Sequence, residues 1–206
     1  MEQFETEEQQ VEAIKRFWKE NGIAIVAGAV LGLGGLWGWR YYTDSQLAAK
    51  EVASTAYQQG IQDIAESQSP EALESFAANT EQRGYQSLSG LIIAQQAVEA
   101  GDLEKAADAL QNVLVQQGDA PLAQVAALRL ASIQIEQGQF DVALSTLDKV
   151  TDEAFKAEAL ILKGDAYSKL ERFDNARQSY VAALDVAPEN RLIQLKLDNL
   201  ALLAGA

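Results

Sequence analysis

The sequence predicts an all-α protein, with one N-terminal transmembrane helix followed by an array of paired helices and a C-terminal capping helix. Three observations predict this fold class. An uncharged stretch near the N-terminus is long enough to span a bilayer, small residues recur at regular spacing after it, and no strand-like stretch stands out. A chain of 206 residues has room for an anchor and for a domain with its own core.

The composition argues against several classes of function. The formal net charge is −14, and residues 41–206 carry 24 acidic and 12 basic side chains. Such a domain repels phosphates, so we expect no nucleic-acid partner. The chain has no cysteine and no histidine, which removes thiolate chemistry, the commonest general base and the commonest metal ligand. With no phosphate-binding loop and no metal-ligand spacing either, we expect no enzyme, no metal, no cofactor and no small-molecule substrate.

The uncharged stretch covers residues 23–39, and its extension to Tyr42 gives roughly 30 Å of helix, the thickness of a bilayer core. Aromatic side chains flank it as they do at membrane interfaces: Phe17 and Trp18 before it, and Trp37, Trp39, Tyr41 and Tyr42 after it. A cleaved signal peptide fits poorly because the start is long and acidic. A buried soluble helix has no need of aromatic residues at both ends. We therefore predict a retained transmembrane helix over residues 21–42, surrounded by membrane lipid.

The bases that flank this span bear on its orientation. Three lie before it and two after it: Lys15, Arg16 and Lys19, then Arg40 and Lys50. This slight excess favours a cytoplasmic N-terminus by the positive-inside rule, with the domain at residues 43–206 exported.

Residues 1–20 are predicted to form a cytoplasmic tail. Within it, Val11, Ile14, Phe17 and Trp18 lie at helical spacing, which indicates a short amphipathic helix at the membrane surface. The alternative is a continuous extension of the membrane helix. The pattern of apolar residues is compatible with both.

Small residues line one face of the predicted span: Ala24, Gly28, Gly32 and Gly35. A smooth face of this kind lets another helix approach closely. The functional interpretation is lateral docking on another membrane protein or on a second copy of the chain. The alternative is that glycine is simply commoner in membrane helices than elsewhere.

Near the C-terminus, the segment "ALILKGDAYSKLERFDNARQSYVAALDVAPEN" carries small residues where two helices would cross. Gly164 takes this position in the first helix, Ala176 takes it in the second, and Pro188 closes the unit. These spacings resemble the tetratricopeptide repeat of about 34 residues. Two positions depart from that pattern: Leu160 replaces the usual tryptophan, and Glu171 stands where glycine is common between the helices.

Two upstream units repeat this spacing, with Ala131 and Ala143 in one and Ala94 and Ala106 in the other. The second-helix alanines are 37 and 33 residues apart, and an insertion near "QQGDAPL" would explain the longer gap. The predicted tetratricopeptide-like domain (43–206) contains a degenerate helix pair (46–66 and 70–79), three clear repeats (about 87–190) and a capping helix (about 191–203).

The first helices of stacked pairs line the concave side of such an array. By the repeat register, the predicted protein-binding surface consists of Leu88, Leu91, Gln95, Val98, Val125, Leu128, Ser132, Ile135, Glu136, Glu158, Ile161 and Asp165. This surface is apolar in the middle, acidic toward the C-terminal end, and without the cluster of basic residues that would hold a peptide carboxylate. We therefore expect it to bind apolar or basic protein segments. Alternatively, Leu128, Ile135 and their neighbours pack against residues 46–66 and are not free.

The segment "QVEAIKRFWKENGIAIVAGAVLGLGGLWGWRYY" resembles the N-terminus of the YfgM family. These proteins are ancillary subunits of the SecYEG translocon in the inner membrane of Gram-negative bacteria, with a periplasmic tetratricopeptide-like domain. The resemblance implies association with the translocon and with periplasmic chaperones such as PpiD, to which emerging chains would be handed. It implies no catalytic residue. The sequence leaves open a second function, an envelope assembly or stress-signalling scaffold without translocon contact.

Overall fold

The computed structural model describes residues 7–67, 69–117 and 121–204, and within these ranges it contains helices and short connections but no strand. The predicted all-α fold class is therefore confirmed. The α-helices are α1 (Glu7–Ser67), α2 (Glu71–Asn79), α3 (Arg83–Glu99), α4 (Leu103–Gln117), α5 (Pro121–Glu136), α6 (Phe140–Leu147), α7 (Lys156–Lys169), α8 (Phe173–Val186) and α9 (Arg191–Ala204), and a 3₁₀ turn (Glu153–Phe155) precedes α7.

The chain divides into two compact units, residues 1–52 and 53–206, with the division inside α1. In the first unit, α1 is the one helix among the described residues that is long and apolar enough to cross a membrane. Its apolar side chains are open to their surroundings, with Ile23 89% and Leu31 75% exposed. These side chains have no protein core around them, as expected of a helix that is packed in lipid.

Residues 7–20 form the first part of α1 rather than a separate short helix. The structure thus has the second of the two alternatives for the tail, and residues 1–6 lie outside the described ranges. Asn21 lies inside this continuous helix, and its side-chain amide Nδ2 donates a hydrogen bond to the Phe17 carbonyl at 3.1 Å. A side chain that bonds one turn back is compatible with continuous helical backbone.

In the second unit, three helix pairs follow one another: α3 with α4, α5 with α6, and α7 with α8. The end of α1, within residues 53–67, and α2 form a further pair, since a Cβ atom added to Gly60 would lie 3.0 Å from Leu73 Cδ1. The capping helix α9 packs against α8 and buries Ile193 and Leu200. Part of the predicted insertion, residues 118–120, lies outside the described ranges.

The small residues of the repeats lie where the helices cross. All six are buried: Ala94, Ala131 and Gly164 in the first helices, and Ala106, Ala143 and Ala176 in the second helices. Buried small residues let two helix backbones approach closely. The small residues that recur in the sequence therefore mark the points where the paired helices cross.

The turns inside the three repeats share one backbone geometry. Gly101, Gly138 and Glu171 have φ values of 78°, 75° and 58°. After each of them, a backbone N–H donates to a carbonyl five residues back: Asp102 to Ala97 (2.8 Å), Gln139 to Gln134 (2.7 Å) and Arg172 to Tyr167 (2.9 Å). This is the Schellman arrangement that ends a helix with a left-handed residue. Glu171 therefore adopts the conformation that glycine adopts in the other two repeats.

Replacing Glu171 with glycine is expected to raise the free energy of unfolding by about 1 kcal/mol, because a left-handed φ strains a residue with a Cβ atom. The matched variant, Gly138→Ala, is expected to lower it by about the same amount. Thermal unfolding of the full chain in detergent, followed by circular dichroism, measures both effects. A Glu171→Gly chain that melts at or below the temperature of the parent would contradict this explanation.

Candidate functional site

Six of the twelve residues predicted to form the concave surface are exposed in the structure: Leu88, Gln95, Val98, Ser132, Glu136 and Glu158. They lie on α3, α5 and α7, the first helices of the three repeats. The remaining six are buried or half-buried, and each has an identifiable role in the fold. The usable surface is therefore smaller and more polar than the repeat register suggests.

Leu91 and Leu128 do not line an open surface, because they are only 8% and 4% exposed. Leu91 belongs to the core formed by α3, α4 and α5. Leu128 packs with Ala143 and Leu147 of α6 and with Ala159 of α7. The alternative drawn from the sequence, that Leu128 packs against residues 46–66, is right that Leu128 is not free but wrong about its partners, which belong to α6 and α7.

Three further positions of the predicted surface, Val125, Ile135 and Ile161, are half-buried and pack against the three core clusters in turn. The last of the twelve, Asp165, is occupied by polar partners from two other helices. It accepts a hydrogen bond from the Tyr180 hydroxyl at 2.7 Å and pairs with Lys196 Nζ at 2.5 Å. Asp165 thus connects α7 to α8 and to the capping helix.

The contact with Asp165 also affects the chemistry of Tyr180. Burial of the ring, and then the hydrogen bond to the Asp165 carboxylate, raises the pKa of Tyr180 well above its usual value. The phenol therefore remains a neutral donor at physiological pH. This buried group stabilises the last repeat and is not available to a ligand.

A cleft of about 400 Å³ lies between α3 and α5. Its lining residues are Ala94, Gln95, Val98, Glu99, Leu110, Arg129, Ser132 and Ile133. The structure thus brings together Gln95, Val98 and Ser132, three residues that the sequence predicts for the binding surface, from the first helices of two successive repeats. We name this feature the α3/α5 cleft.

Two charged residues of the α3/α5 cleft were missed by the sequence reasoning, Glu99 and Arg129. The Glu99 carboxylate accepts hydrogen bonds from Gln95 Nε2 at 3.0 Å and from Gln96 Nε2 at 3.1 Å. Arg129 makes no ion pair with any residue that the structure describes. One feature of the sequence could have pointed to Arg129: it is the single basic residue within the apolar run "VAALRLASIQI", and it lies one helical turn before Ser132.

The apolar walls of the cleft come from Val98, Leu110 and Ile133. Concave sites of this size with apolar walls and a few polar groups are suited to one or two side chains of a bound segment. The arrangement can bury an apolar side chain between α3 and α5. It also presents an uncommitted guanidinium, in Arg129, to an oxygen of the same segment.

The glycine face of the membrane helix is open. Ala24, Gly28, Gly32 and Gly35 are exposed, and an added Cβ atom at any of these three glycines would meet no atom within 4 Å. On a regular α-helix these four positions fall within one side of the surface. The face is therefore sterically able to take a second helix at close range.

Comparison with known proteins now places the chain in a family. The profile of the family described as "Tetratricopeptide repeat-like domain" matches residues 15–202. A protein of Escherichia coli (strain K12) named "Ancillary SecYEG translocon subunit" is 40% identical and aligns over 98% of this chain and 100% of its own length. The chain belongs to the family of ancillary SecYEG translocon subunits. A further ancillary SecYEG translocon subunit, from Haemophilus influenzae, is 34% identical over 94% of this chain and 97% of its own length.

Membership among the ancillary SecYEG translocon subunits confirms the resemblance noted for residues 10–42. Solved structures agree on the fold of the repeat domain. "MamA 41-end from Desulfovibrio magneticus RS-1" has a TM-score of 0.58 at 21% identity and covers 73% of this chain and 84% of its own. The second tetratricopeptide domain of human RPAP3, solved in complex with an HSP70 peptide, has a TM-score of 0.52 at 15% identity. This match covers 58% of the present chain and 98% of the RPAP3 domain. At these identities the likeness concerns the fold alone.

Proposed function

We propose that this chain is a membrane-anchored adaptor beside the protein-export channel. Residues 21–42 hold it in the inner membrane with the N-terminus in the cytoplasm, and the repeat domain lies in the periplasm. There it links secreted chains to periplasmic chaperones such as PpiD. The observation that carries the proposal is the 40% identity, over nearly the whole chain, to a protein named as an ancillary subunit of the SecYEG translocon.

The anchor supports this proposal because its glycine face is free to pack. Gly28, Gly32 and Gly35 lie on the exposed surface of α1. Helices associate in membranes through small residues that allow close backbone approach, since the lipid tails remove the hydrophobic driving force. In the adaptor, this face docks on a transmembrane helix of the channel. The scaffold alternative has no such contact.

In the repeat domain, the α3/α5 cleft supports binding of an extended protein segment. One apolar side chain of the segment enters between Val98 and Ile133, and the Arg129 guanidinium donates a hydrogen bond to a backbone or side-chain oxygen of the segment. The exposed carboxylates of Glu136 and Glu158, on the same helices as the predicted surface, favour basic residues elsewhere in the segment. An unfolded secreted chain offers such apolar and basic stretches in many places.

A photoreactive residue placed at Gly28, Gly32 or Gly35 in living cells is expected to crosslink to a subunit of the translocon. The matched controls are Val26 and Leu33, which lie on the opposite side of the same helix at the same depth range. Mass spectrometry of the adducts identifies the partner. A complete lack of channel adducts from the glycine face, with adducts to other proteins instead, would reject the adaptor and favour the scaffold.

A further inference from the structure

The α3/α5 cleft carries one charge of each sign, and the two charges are not paired with each other. Arg129 lines the cleft from α5, and Glu99 lines it from α3. Neither side chain makes an ion pair with any residue that the structure describes. The Glu99 carboxylate accepts hydrogen bonds from the neutral amides of Gln95 and Gln96, which leave its charge in place. Both charges are therefore available to a bound segment.

Another base, Lys105, lies near Glu99 but is already engaged elsewhere. Glu99 and Lys105 line a common depression at the end of α3. Lys105 Nζ lies 2.6 Å from Glu74 Oε1, on α2. This ion pair connects α2 to α4, so the ammonium group serves the packing of these helices and does not neutralise Glu99.

The position of Glu99 is not explained by the stability of its helix. Glu99 is the last residue of α3, and Glu136 is the last residue of α5. The C-terminal end of a helix carries a partial negative charge, which favours basic side chains and disfavours carboxylates there. The two glutamates are 37 residues apart, as are the equivalent small residues Ala94 and Ala131. They therefore occupy the same position in successive repeats and form an exposed acidic edge where α3 and α5 end.

The distance between the two kinds of charge corresponds to a short piece of extended chain. Arg129 lies seven residues before Glu136 on α5, which is two helical turns or about 10 Å along the axis. Three residues of an extended chain span about 10 Å as well. Ile133 lies between these two levels and, with Val98 of α3, provides apolar wall. A segment that lies along the first helices thus meets a positive charge, an apolar wall and a negative edge in that order.

We propose that the α3/α5 cleft selects protein segments by the order of their charges. An acidic residue of the segment binds Arg129, whose guanidinium can hold a carboxylate through two hydrogen bonds. A basic residue three positions away binds the acidic edge at Glu99 and Glu136, and an apolar side chain between them enters the cleft. This inference rests on the proposed function, in which the cleft binds a segment of a secreted chain, and it states which segments are bound.

Binding of short labelled peptides to the full chain in detergent, at about 0.15 M salt so that distant charges are screened, tests the proposal. Each peptide has one leucine between two variable positions that are three residues apart. These positions hold aspartate and lysine, asparagine and glutamine, or two lysines. The aspartate–lysine peptide is made in both orders, because a bound chain has one direction. By fluorescence anisotropy, the better of the two orders is expected to bind about fivefold more tightly than the neutral and the double-lysine peptides.

Arg129→Glu is expected to reverse this preference. The double-lysine peptide then binds about fivefold more tightly than the aspartate–lysine peptide, because each lysine faces a carboxylate. The matched control is Arg191→Glu, which makes the same change of charge at an exposed position on α9 and is expected to keep the ranking of the parent chain. Circular dichroism checks that both variants are folded. A ranking that Arg129→Glu leaves unchanged would overturn the proposal.

The peptide series also separates this proposal from the function on which it rests. Equal binding of all the peptides would overturn selection by charge order, while the cleft would stand as a site for apolar segments. Binding of none of them would overturn both the selection and the cleft. The crosslinks expected from the glycine face to the translocon do not depend on either result.

Discussion

Replacing Gly164 with alanine is expected to destabilise the protein by about 3 kcal/mol, because the new methyl group has no space. An added Cβ atom would lie 2.3 Å from Tyr180 Cε1 and 2.5 Å from Tyr180 Cδ1. The ring cannot move aside freely. It is 3% exposed, and its hydroxyl is held by Asp165 at 2.7 Å.

Chemical unfolding of the full chain in detergent measures this loss. The matched control is Gly84→Ala in α3, where an added Cβ atom meets nothing within 4 Å. Since alanine favours helix over glycine, the control is expected to be neutral or to stabilise by up to about 1 kcal/mol. If Gly164→Ala unfolds like the parent chain, the close crossing of α7 and α8 at Tyr180 is wrong.

Leu128→Glu is expected to destabilise the fold by about 4 kcal/mol or more, because it removes a buried leucine and buries a carboxylate among alanines and leucines. Leu128 is 4% exposed and packs with Ala143, Leu147 and Ala159. A loss of partner binding in this variant would therefore report unfolding and not a contact. Circular dichroism and thermal unfolding of the full chain are the measurements that check it.

The matched variant is Ser132→Glu, one turn further along the same helix α5. Ser132 is exposed and lines the α3/α5 cleft. This variant is expected to melt within a few degrees of the parent chain. It is also expected to bind a labelled apolar peptide at least about tenfold more weakly, because the new side chain occupies the cleft and places a negative charge beside its apolar walls. Fluorescence anisotropy gives the affinity. Unchanged affinity in folded Ser132→Glu would remove the cleft as the binding surface, and a stable Leu128→Glu would contradict the core assignment.

The span and the repeats could be predicted from local patterns. The seventeen consecutive uncharged residues from 23 to 39 predict a helix that can be surrounded by lipid. The small residues at Ala131, Ala143, Gly164 and Ala176 recur because each crossing of paired helices excludes larger side chains. Such patterns are repeated along the chain and require no knowledge of distant contacts.

The open surface could not be predicted in the same way. Leu128 and Ser132 are one turn apart on the same inward side of α5, and the register assigns both to the concave face. Only the position of α6 and α7 decides that Leu128 is covered and Ser132 is not. Arg129 was overlooked for the same reason, because its place at the cleft depends on how closely α3 approaches α5.

The amino-acid sequence by itself determined the class of the protein: an apolar anchor without charges, and an acidic helical array whose crossings recur with the spacing of its small residues. Helical period and side-chain size decide these features, and both are properties of neighbouring residues along the chain. The tertiary structure alone decided which residues of the predicted surface remain exposed, among them Gln95, Val98 and Ser132 at the α3/α5 cleft. Exposure depends on packing between repeats, and the residues that pack together there are distant in sequence.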